Sequence, residues 1–470
     1  MSNHPNLSNQ TPAHITSHLP KLATATSSYA SRYATAFTAS TPTRANAIAI
    51  PNNERGTAQH DAVQHTNDYY DIVTRSFEAG WGKQFHYAPF APGDSVAHAL
   101  TFVVYRLAHL MGLRAGMRVL DIGCGIGGPS REVAKFVGCE VVGVSINQFQ
   151  VNRAIEITAQ QGLGHLCTFI QGNYMHLVDT VDEEGNVVEG LFPEGSFDAV
   201  VAIESMCHAP SWEGVYRQVW KVLKPGGVLG FTEQVMVDEP EEVQVPNEAG
   251  GRGAVRSNGE KVRFDEENAE HVGVRNRLEV GTGISQLRGS TEARMTLRKV
   301  GFGIEVDEDF ARYFDRLYGE PAVVRGRDGQ VESWSMVKIP NRNGMGFHYA
   351  PAPKEPYPEI KVGLQNGGRY SVPPVYRPWW YPLMGNKLAV ELGASAEDRY
   401  LASQMSHRNR SFWFGLTKIL VWLGIWPSSI VAVNKTMTLC VDEYLAAGSM
   451  GIFTPCWMFV GRKIEHGQEA

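Results

Sequence analysis

At 470 residues, the chain exceeds the roughly 250–300 at which a single hydrophobic core stops growing, so more than one structural unit is expected. An apolar share of 43% with 10% aromatics fits a globular protein, and a net charge of −6 argues against nucleic acid as a partner of the whole chain. Six cysteines, at 124, 139, 167, 207, 440 and 456, show neither C-x-x-C nor metal-like pairing with histidine. A reduced compartment and no bound metal are therefore expected.

Residues 1–60 are expected to be a disordered tail, because 1–53 hold no acid, are rich in Ser, Thr and Ala, and carry only Lys21, Arg32 and Arg44 as bases. A mitochondrial transit peptide is the alternative, disfavoured by those sparse bases. Asp61 to Ala79 and Ser95 to Met111 have apolar residues at helical spacing and predict a helical cap over 61–115. Strands and helices then alternate: strand 118–122, helix 129–137, strand 140–144, helix 148–161, strands 167–170 and 197–203, helix 212–223, strand 227–235. This is the βαβ order of an α/β fold, a Rossmann-like doubly wound sheet spanning 116–319.

Two stretches interrupt it. Residues 238–268 are acidic and contain glycine, and 320–378 are dense in Gly, Pro and Arg, so both read as surface insertions. Residues 379–465 return to apolar and aromatic composition and are expected to form a C-terminal domain. Within it, the fifteen residues Phe412 to Trp426 contain Lys418 and fall short of the roughly 20 needed to span a bilayer. A buried helix, or one lying on a membrane surface, is expected there.

The sharpest local signal is Val119–Ser130, VLDIGCGIGGPS. A strand runs into glycines, and Pro129 suits the start of a following helix. Gly123, Gly125 and Gly128 satisfy G-x-G-x-x-G, which lets backbone approach a ligand and aims helix N–H groups at it. A dinucleotide site wants an acid at the end of the second strand, where this chain has Ser145-Ile-Asn147. Asp121 instead puts a carboxylate beside the turn. That suits the sulfonium and ammonium of S-adenosylmethionine (SAM) and would repel a pyrophosphate. The plainer alternative is that Asp121 only hydrogen-bonds the turn.

Several further stretches carry a resemblance: Tyr69-Tyr-Asp-Ile-Val73, Phe77-Glu-Ala-Gly-Trp-Gly82, Phe85-His-Tyr87, Leu120 to Pro129, Ala202-Ile-Glu-Ser-Met-Cys-His-Ala-Pro210, Val222-Leu-Lys-Pro-Gly-Gly227, Trp380-Tyr-Pro-Leu383 and Phe453-Thr-Pro455. In this order the chain resembles the sterol C24-methyltransferase family over about residues 65–465, apart from the two insertions. The resemblance implies a class I SAM-dependent methyltransferase fold, with a helical N-terminal cap and a C-terminal sterol methyltransferase domain. It implies methyl transfer from SAM to the side-chain double bond of a sterol or related triterpenoid.

Aromatic faces suit the cation left by such alkylation, and Phe77, Trp81, Phe85 and Tyr87 are candidates. Glu78, Trp81, Glu204 and His208 are the candidate catalytic residues, with Glu204, His208 or Glu78 as the base that takes the final proton. The helical Tyr69, Tyr70 and Phe77 read as core before site. Cofactor contacts are expected from Asp121, Gly123, Gly125, Gly127, Ser145, Asn147, Gln150, Asn173 and Glu204. The implied partners are the sterol or triterpenoid and a membrane or lipid-droplet surface touched peripherally. The implied location is the cytoplasmic face of the endoplasmic reticulum or a droplet, with homo-oligomerisation left open. Ala79, Asn173 and Thr282 depart from the family pattern. They keep two alternatives alive: methylation of another lipid or secondary metabolite, and a non-catalytic SAM- or sterol-binding paralogue.

Overall fold

The structure, a computed structural model, describes residues 64, 66–71, 73–74, 77–78, 82–89, 96–181, 186–238, 244–246, 252–254, 263–313, 321–325, 331–336, 362–363, 369–370, 407–424, 431, 440–444, 446–448 and 450–464. The tail 1–60, Trp81 and Trp380–Leu383 lie outside them, as does most of 320–378. Within 238–268 and 320–378 the described parts include short antiparallel strand pairs, 244–246 with 252–254 and 321–325 with 331–336.

Helix α1, Val96–Leu110, buries Ala99, Leu100, Val103, Val104, Leu107 and Ala108, a stripe repeating every three to four residues. The strands that follow are β1 (Arg118–Ile122), β2 (Glu140–Ser145), β3 (Cys167–Gln171), β4 (Phe197–Ile203) and β5 (Leu223–Met236). Between them run α2 (Gly128–Val137), α3 (Gln148–Gln160) and α4 (Trp212–Val222). Each helix start has a local cause. Pro129 occupies the first turn of α2, while the side chains of Asn147 and Ser211 accept backbone N–H groups at the starts of α3 and α4. Beyond these come α5 (Ala269–Thr282), α6 (Ser290–Val300), β6 (Phe302–Asp309), α7 (His407–Trp422) and β7 (Phe453–Lys463).

The seven strands form one sheet in the order β6-β7-β5-β4-β1-β2-β3. β1 pairs in parallel with β2 and β4, β2 with β3, and β4 with β5. Side chains alternate between two cores. Val119, Val141 and Val201 face α1 and α2, whereas Leu120, Ile122, Val200, Ala202 and Phe231 face α4 and α6. A sheet covered on both faces is the doubly wound arrangement the strand pattern predicts.

The C-terminal boundary needs correction. The segment 379–465 was expected as a domain of its own, yet its β7 lies inside this sheet, antiparallel to β5 (Phe459 opposite Phe231) and to β6 (Val460 opposite Val306). Residues Phe453 to Gly461 are buried without a break, as a strand with neighbours on both sides and helices on both faces requires. Pairing across so long a stretch leaves no mark in local periodicity. A third core joins Phe264, Val274, Leu278 and Ile284 to Ala447, Ile452 and Phe453, tying the C-terminal segment to α5. Among the described residues, no helix is long and apolar enough to cross a membrane.

Candidate active site

Strand order reverses at β1, with β2 on one side and β4 on the other, and in such sheets ligands bind beyond the carboxyl ends of the strands at that point. A solvent-open cleft lies there, lined by the ends of β1, β2 and β4 and roofed by Lys83, Phe85 and His86 together with Thr66 and Tyr70 of the roof helix, whose described residues are 64, 66–71, 73–74 and 77–78.

The floor is the glycine turn. Gly123, Gly125 and Gly127 all have positive φ, between 56° and 74°, which only glycine adopts without cost. A Cβ on Gly123 would stand 2.3 Å from the Cβ of Ser205, and one on Gly127 would meet the Phe169 ring at 2.6 Å. Gly125 faces open space in the cleft. A Cβ on Gly128 would lie 2.0 Å from the Lys83 carbonyl oxygen, so the roof loop rests directly on the start of α2.

Asp121, 3% exposed, takes a short hydrogen bond from the Ser130 hydroxyl. Burial nevertheless raises its carboxyl to about 6, with the Ser130 bond opposing. At the end of β2 the Ser145 hydroxyl donates to Gln150 Oε1 at 2.9 Å, and Asn173 accepts the Met175 N–H at 2.9 Å.

The loop after β4 carries Glu204, the sole non-glycine residue with positive φ (49°) among the described residues. That conformation costs about 1–2 kcal/mol. It is held by the Glu204 N–H donating to Thr232 O at 2.8 Å, the Tyr87 N–H donating to Oε1 at 2.6 Å, and Gln234 Nε2 donating to Oε2 at 3.3 Å. Burial, reinforced by the neighbouring Glu233 and opposed by the hydrogen bonds, pushes Glu204 up to about 8. Glu233 is fully buried and accepts the N–H groups of Ser205, Met206 and Cys207 at 3.0, 2.6 and 3.2 Å, fixing the turn that presents His208. His208 Nε2 and the Tyr70 hydroxyl lie 2.9 Å apart. Buried His86 is pushed down to about 4 and stays neutral at pH 7.

Of the expected site residues, Asp121, Gly123, Gly125, Ser145, Gln150, Asn173, Glu204 and His208 all line this one cleft. Three others do not enter it as expected. Gly127 packs against Phe169 and Arg131 instead of lining the cleft. Asn147 caps α3, and its Nδ2 donates to Asp71 Oδ1 at 2.7 Å. Glu78 does not line the cleft and is engaged by Arg153, whose Nε lies 3.0 Å from both carboxylate oxygens. Trp81 lies outside the described residues. Of the other aromatic candidates, Phe85 lines the cleft, Phe77 supports it at 5.7 Å between ring centres, and Tyr87 contributes its backbone.

Tyr69 is core as expected, but its neighbour Tyr70 is a site residue. Helical spacing separates these two faces, and Tyr69 packing over Gly283 shows which one is inward. Lys83, His86 and Ser205 were also missed, although His86 and Ser205 lie inside family motifs and Lys83 directly follows one.

The donor set suits SAM. A cation beside Asp121 offsets the cost of burying that carboxylate. An anionic pyrophosphate would face both Asp121 and Glu204.

A family model described as a methyltransferase domain matches residues 113–276, and one described as sterol methyltransferase C-terminal matches 401–464. A sterol 24-C-methyltransferase of Yarrowia lipolytica is 30% identical over 400 residues, covering 85% of this chain and 79% of that protein. One of Aspergillus fumigatus is 29% identical, covering 85% and 80%. Among solved structures, that of the [4+2]-cyclase SpnF is 18% identical with a TM-score of 0.48, covering 86% of this chain and 97% of that one. With its glycine turn inside the first matched segment and its final strand inside the second, the chain belongs to the sterol 24-C-methyltransferase family.

Proposed function

We propose that the protein transfers a methyl group from SAM to the side-chain double bond of a sterol or related triterpenoid. The observation that carries this reading is the gathering, in one cleft, of the glycine turn, the buried carboxylate of Asp121, and Glu204 under Tyr70 and Phe85. Membership of the family supplies the substrate class. When bound, the cofactor supplies an electrophilic methyl group on a positively charged sulfur.

The chain's residues supply the rest. Asp121 would hold the cationic amino-acid end, Ser145 and Gln150 the ribose, and Asn173 the adenine side. An alkene has no proton to lose before attack, so positioning and exclusion of water dominate. Tyr70 and Phe85, both in the cleft lining, would supply aromatic shielding to the substrate cation. Glu204 then takes the final proton on its carboxylate, with His208 as the competing base. Positive charge in the cleft draws Glu204 towards its ionised form, which is the form a base needs.

The test is incubation with labelled SAM and a panel of side-chain-unsaturated sterols and triterpenoids, with products read by mass. No methylated product from any of them would sink the reading. Glu204→Gln keeps the size and removes the charge, so a changed product, hydroxylated or with a shifted alkene, is expected where His208→Ala only slows the reaction. Normal product at normal rate from both variants would move the base elsewhere.

The same proposal includes peripheral attachment to the cytoplasmic face of the endoplasmic reticulum or a lipid droplet, since the substrate dissolves there. Helix α7 supports it: Phe412, Trp413, Ile419 and Trp422 are exposed, Trp422 at 83%. Flotation with sterol-containing liposomes should carry the protein up and carbonate should release it. Release by detergent alone would favour an integral anchor.

A further inference from the structure

Glu204 is tied to a part of the chain more than two hundred residues away. The Tyr444 hydroxyl donates to Gln234 Oε1 at 2.6 Å, and Gln234 Nε2 donates to Glu204 Oε2 at 3.3 Å. Tyr444 stands edge-on to Phe453, the first residue of β7, at 5.3 Å between ring centres. Its neighbour Glu443 accepts from Arg277 Nε of α5 at 2.6 Å. The tyrosine is thus anchored both to the sheet and to the helix beside it.

An amide has two ends, and only the NH₂ end can donate to a carboxylate. A hydroxyl that donates to the amide oxygen fixes which end faces Glu204. Without it, the side chain of Gln234 is free to rotate and offer its oxygen, which an ionised carboxylate repels and a protonated one welcomes.

We propose that Tyr444 and Gln234 are positioning residues, a hydrogen-bonded relay through which the C-terminal segment orients the Glu204 carboxylate in the cleft. Neither residue lines the cleft itself. The inference rests on the reading of Glu204 as the base, and it adds a second-site control that the base alone does not explain. It also accounts for the left-handed backbone of Glu204. With Oε1 taken by the Tyr87 N–H from the roof and Oε2 by Gln234 from β5, the carboxylate is clamped between two elements while its own backbone is pinned to Thr232. The titratable groups around it are Glu233 on β5, Cys207 and His208 on its own loop, Tyr70 from the roof helix, and Tyr444 and Cys456 from the C-terminal segment. Among the described residues that influence it, no cation opposes its burial; the Tyr87 N–H and, after it, the Gln234 amide do so.

The sign follows. Gln234 favours the ionised form and opposes the burial that raises Glu204 to about 8. Tyr444→Phe should move its titration upward by about half to one pH unit, the equivalent of one modest hydrogen bond. The acid limb of the kcat/KM profile should shift to higher pH by that amount, with the plateau rate changed less than twofold. Gln234→Leu should shift it at least as far. In the Glu204→Gln background, Tyr444→Phe should shift nothing.

A binding experiment reads the same relay without turnover. The full-length protein is titrated with S-adenosylhomocysteine by calorimetry from pH 5.5 to 9, in buffers of different ionisation enthalpy, and the proton uptake traced for wild type, Tyr444→Phe and Gln234→Leu. A displaced uptake midpoint in both variants supports the relay. Coincident profiles for wild type and both variants in binding and in kcat/KM overturn it, even where the wild type methylates sterols normally. If the wild type turns over no sterol, the functional reading fails, and the uptake midpoint alone decides the relay. Uptake displaced equally in the Glu204→Gln background would also overturn it, because another group would then be responding.

Discussion

Beneath the cleft, the ends of β1, β2 and β4 stand on Leu120, Val144 and Ala202, none of which touches water. The helix above meets α3 through polar side chains instead. Asn147 donates to Asn67 and Asp71, Gln150 to Thr74, and Arg153 to Glu78. On α3 the steps are three residues, and on the roof helix they are four, three and four, so each helix offers one face to the other. The two walls differ in how they can fail. An apolar floor buried on both faces is lost only when the sheet unfolds, whereas each roof bond is worth about 0.5–1.5 kcal/mol and water can replace it. The floor is therefore expected to be the preformed half of the site, and the roof the half that yields first.

The largest expected effect breaks the floor. Gly123→Ala forces an l-residue into φ +74° with its Cβ 2.3 Å from that of Ser205. We expect a loss of roughly 2–4 kcal/mol in stability, read by urea unfolding, together with loss of SAM binding. A variant of wild-type stability would mean that the turn is as adaptable as the roof.

Asp121→Asn separates binding from stability within the floor. The removed carboxylate should weaken SAM by roughly 10- to 100-fold, the worth of a charge-assisted bond, measured by calorimetry. The stability effect runs the other way. A carboxyl raised to about 6 in the folded protein prefers its proton there, so its ionisation destabilises the ligand-free fold. That cost is absent below the unfolded value near pH 4, grows as pH rises through about 6, and is complete above it. Ligand-free Asp121→Asn should consequently be more stable than wild type at pH 7.5, by something of order 2 kcal/mol, and equal to it near pH 4. Equal melting at both pH values would leave Asp121 as an ordinary turn residue.

The floor was also the legible half in the sequence. A strand-glycine-helix signature is local, and Asp121, Gly123, Gly125 and the Ser145 strand end all lie within 25 residues of one another, so spacing and charge sufficed to place them. The family motifs added Glu204 and His208. The roof was legible at Phe85 but not in its helix, because a helix with polar residues on one face normally turns that face to water. Here Asn67, Asp71, Thr74 and Glu78 turn it to α3. Gln234 and Tyr444 escaped for the opposite reason, since one lies in a strand and the other far along the chain, and only the fold brings them to Glu204. The place of β7 within the sheet was hidden in the same way.

Gly128→Ala moves the roof without touching the floor. Its backbone is ordinary helix, but a Cβ would lie 2.0 Å from Lys83 O, so the roof loop must lift. SAM affinity should fall by about tenfold while urea stability falls by less than about 1 kcal/mol, the pattern of a displaced surface contact and not of a damaged core. Equal losses in both measurements would show that the roof loop belongs to the cooperative fold.

The smallest effect is the most telling for Glu78. Arg153 and Glu78 are about three-quarters buried and joined side-on, and such a pair couples by about 0.5–1 kcal/mol. If Glu78 serves only to tie the roof down, Glu78→Gln and Arg153→Ala should behave alike. Each should speed amide exchange in the roof helix and SAM release by about two- to fivefold, and the double variant should add little to either single one. Turnover with saturating substrate should change by less than about threefold, with the product unaltered. A Glu78→Gln variant that loses turnover or changes product while Arg153→Ala does not would put a catalytic proton on Glu78. The roof would then be part of the chemistry as well as of its gating.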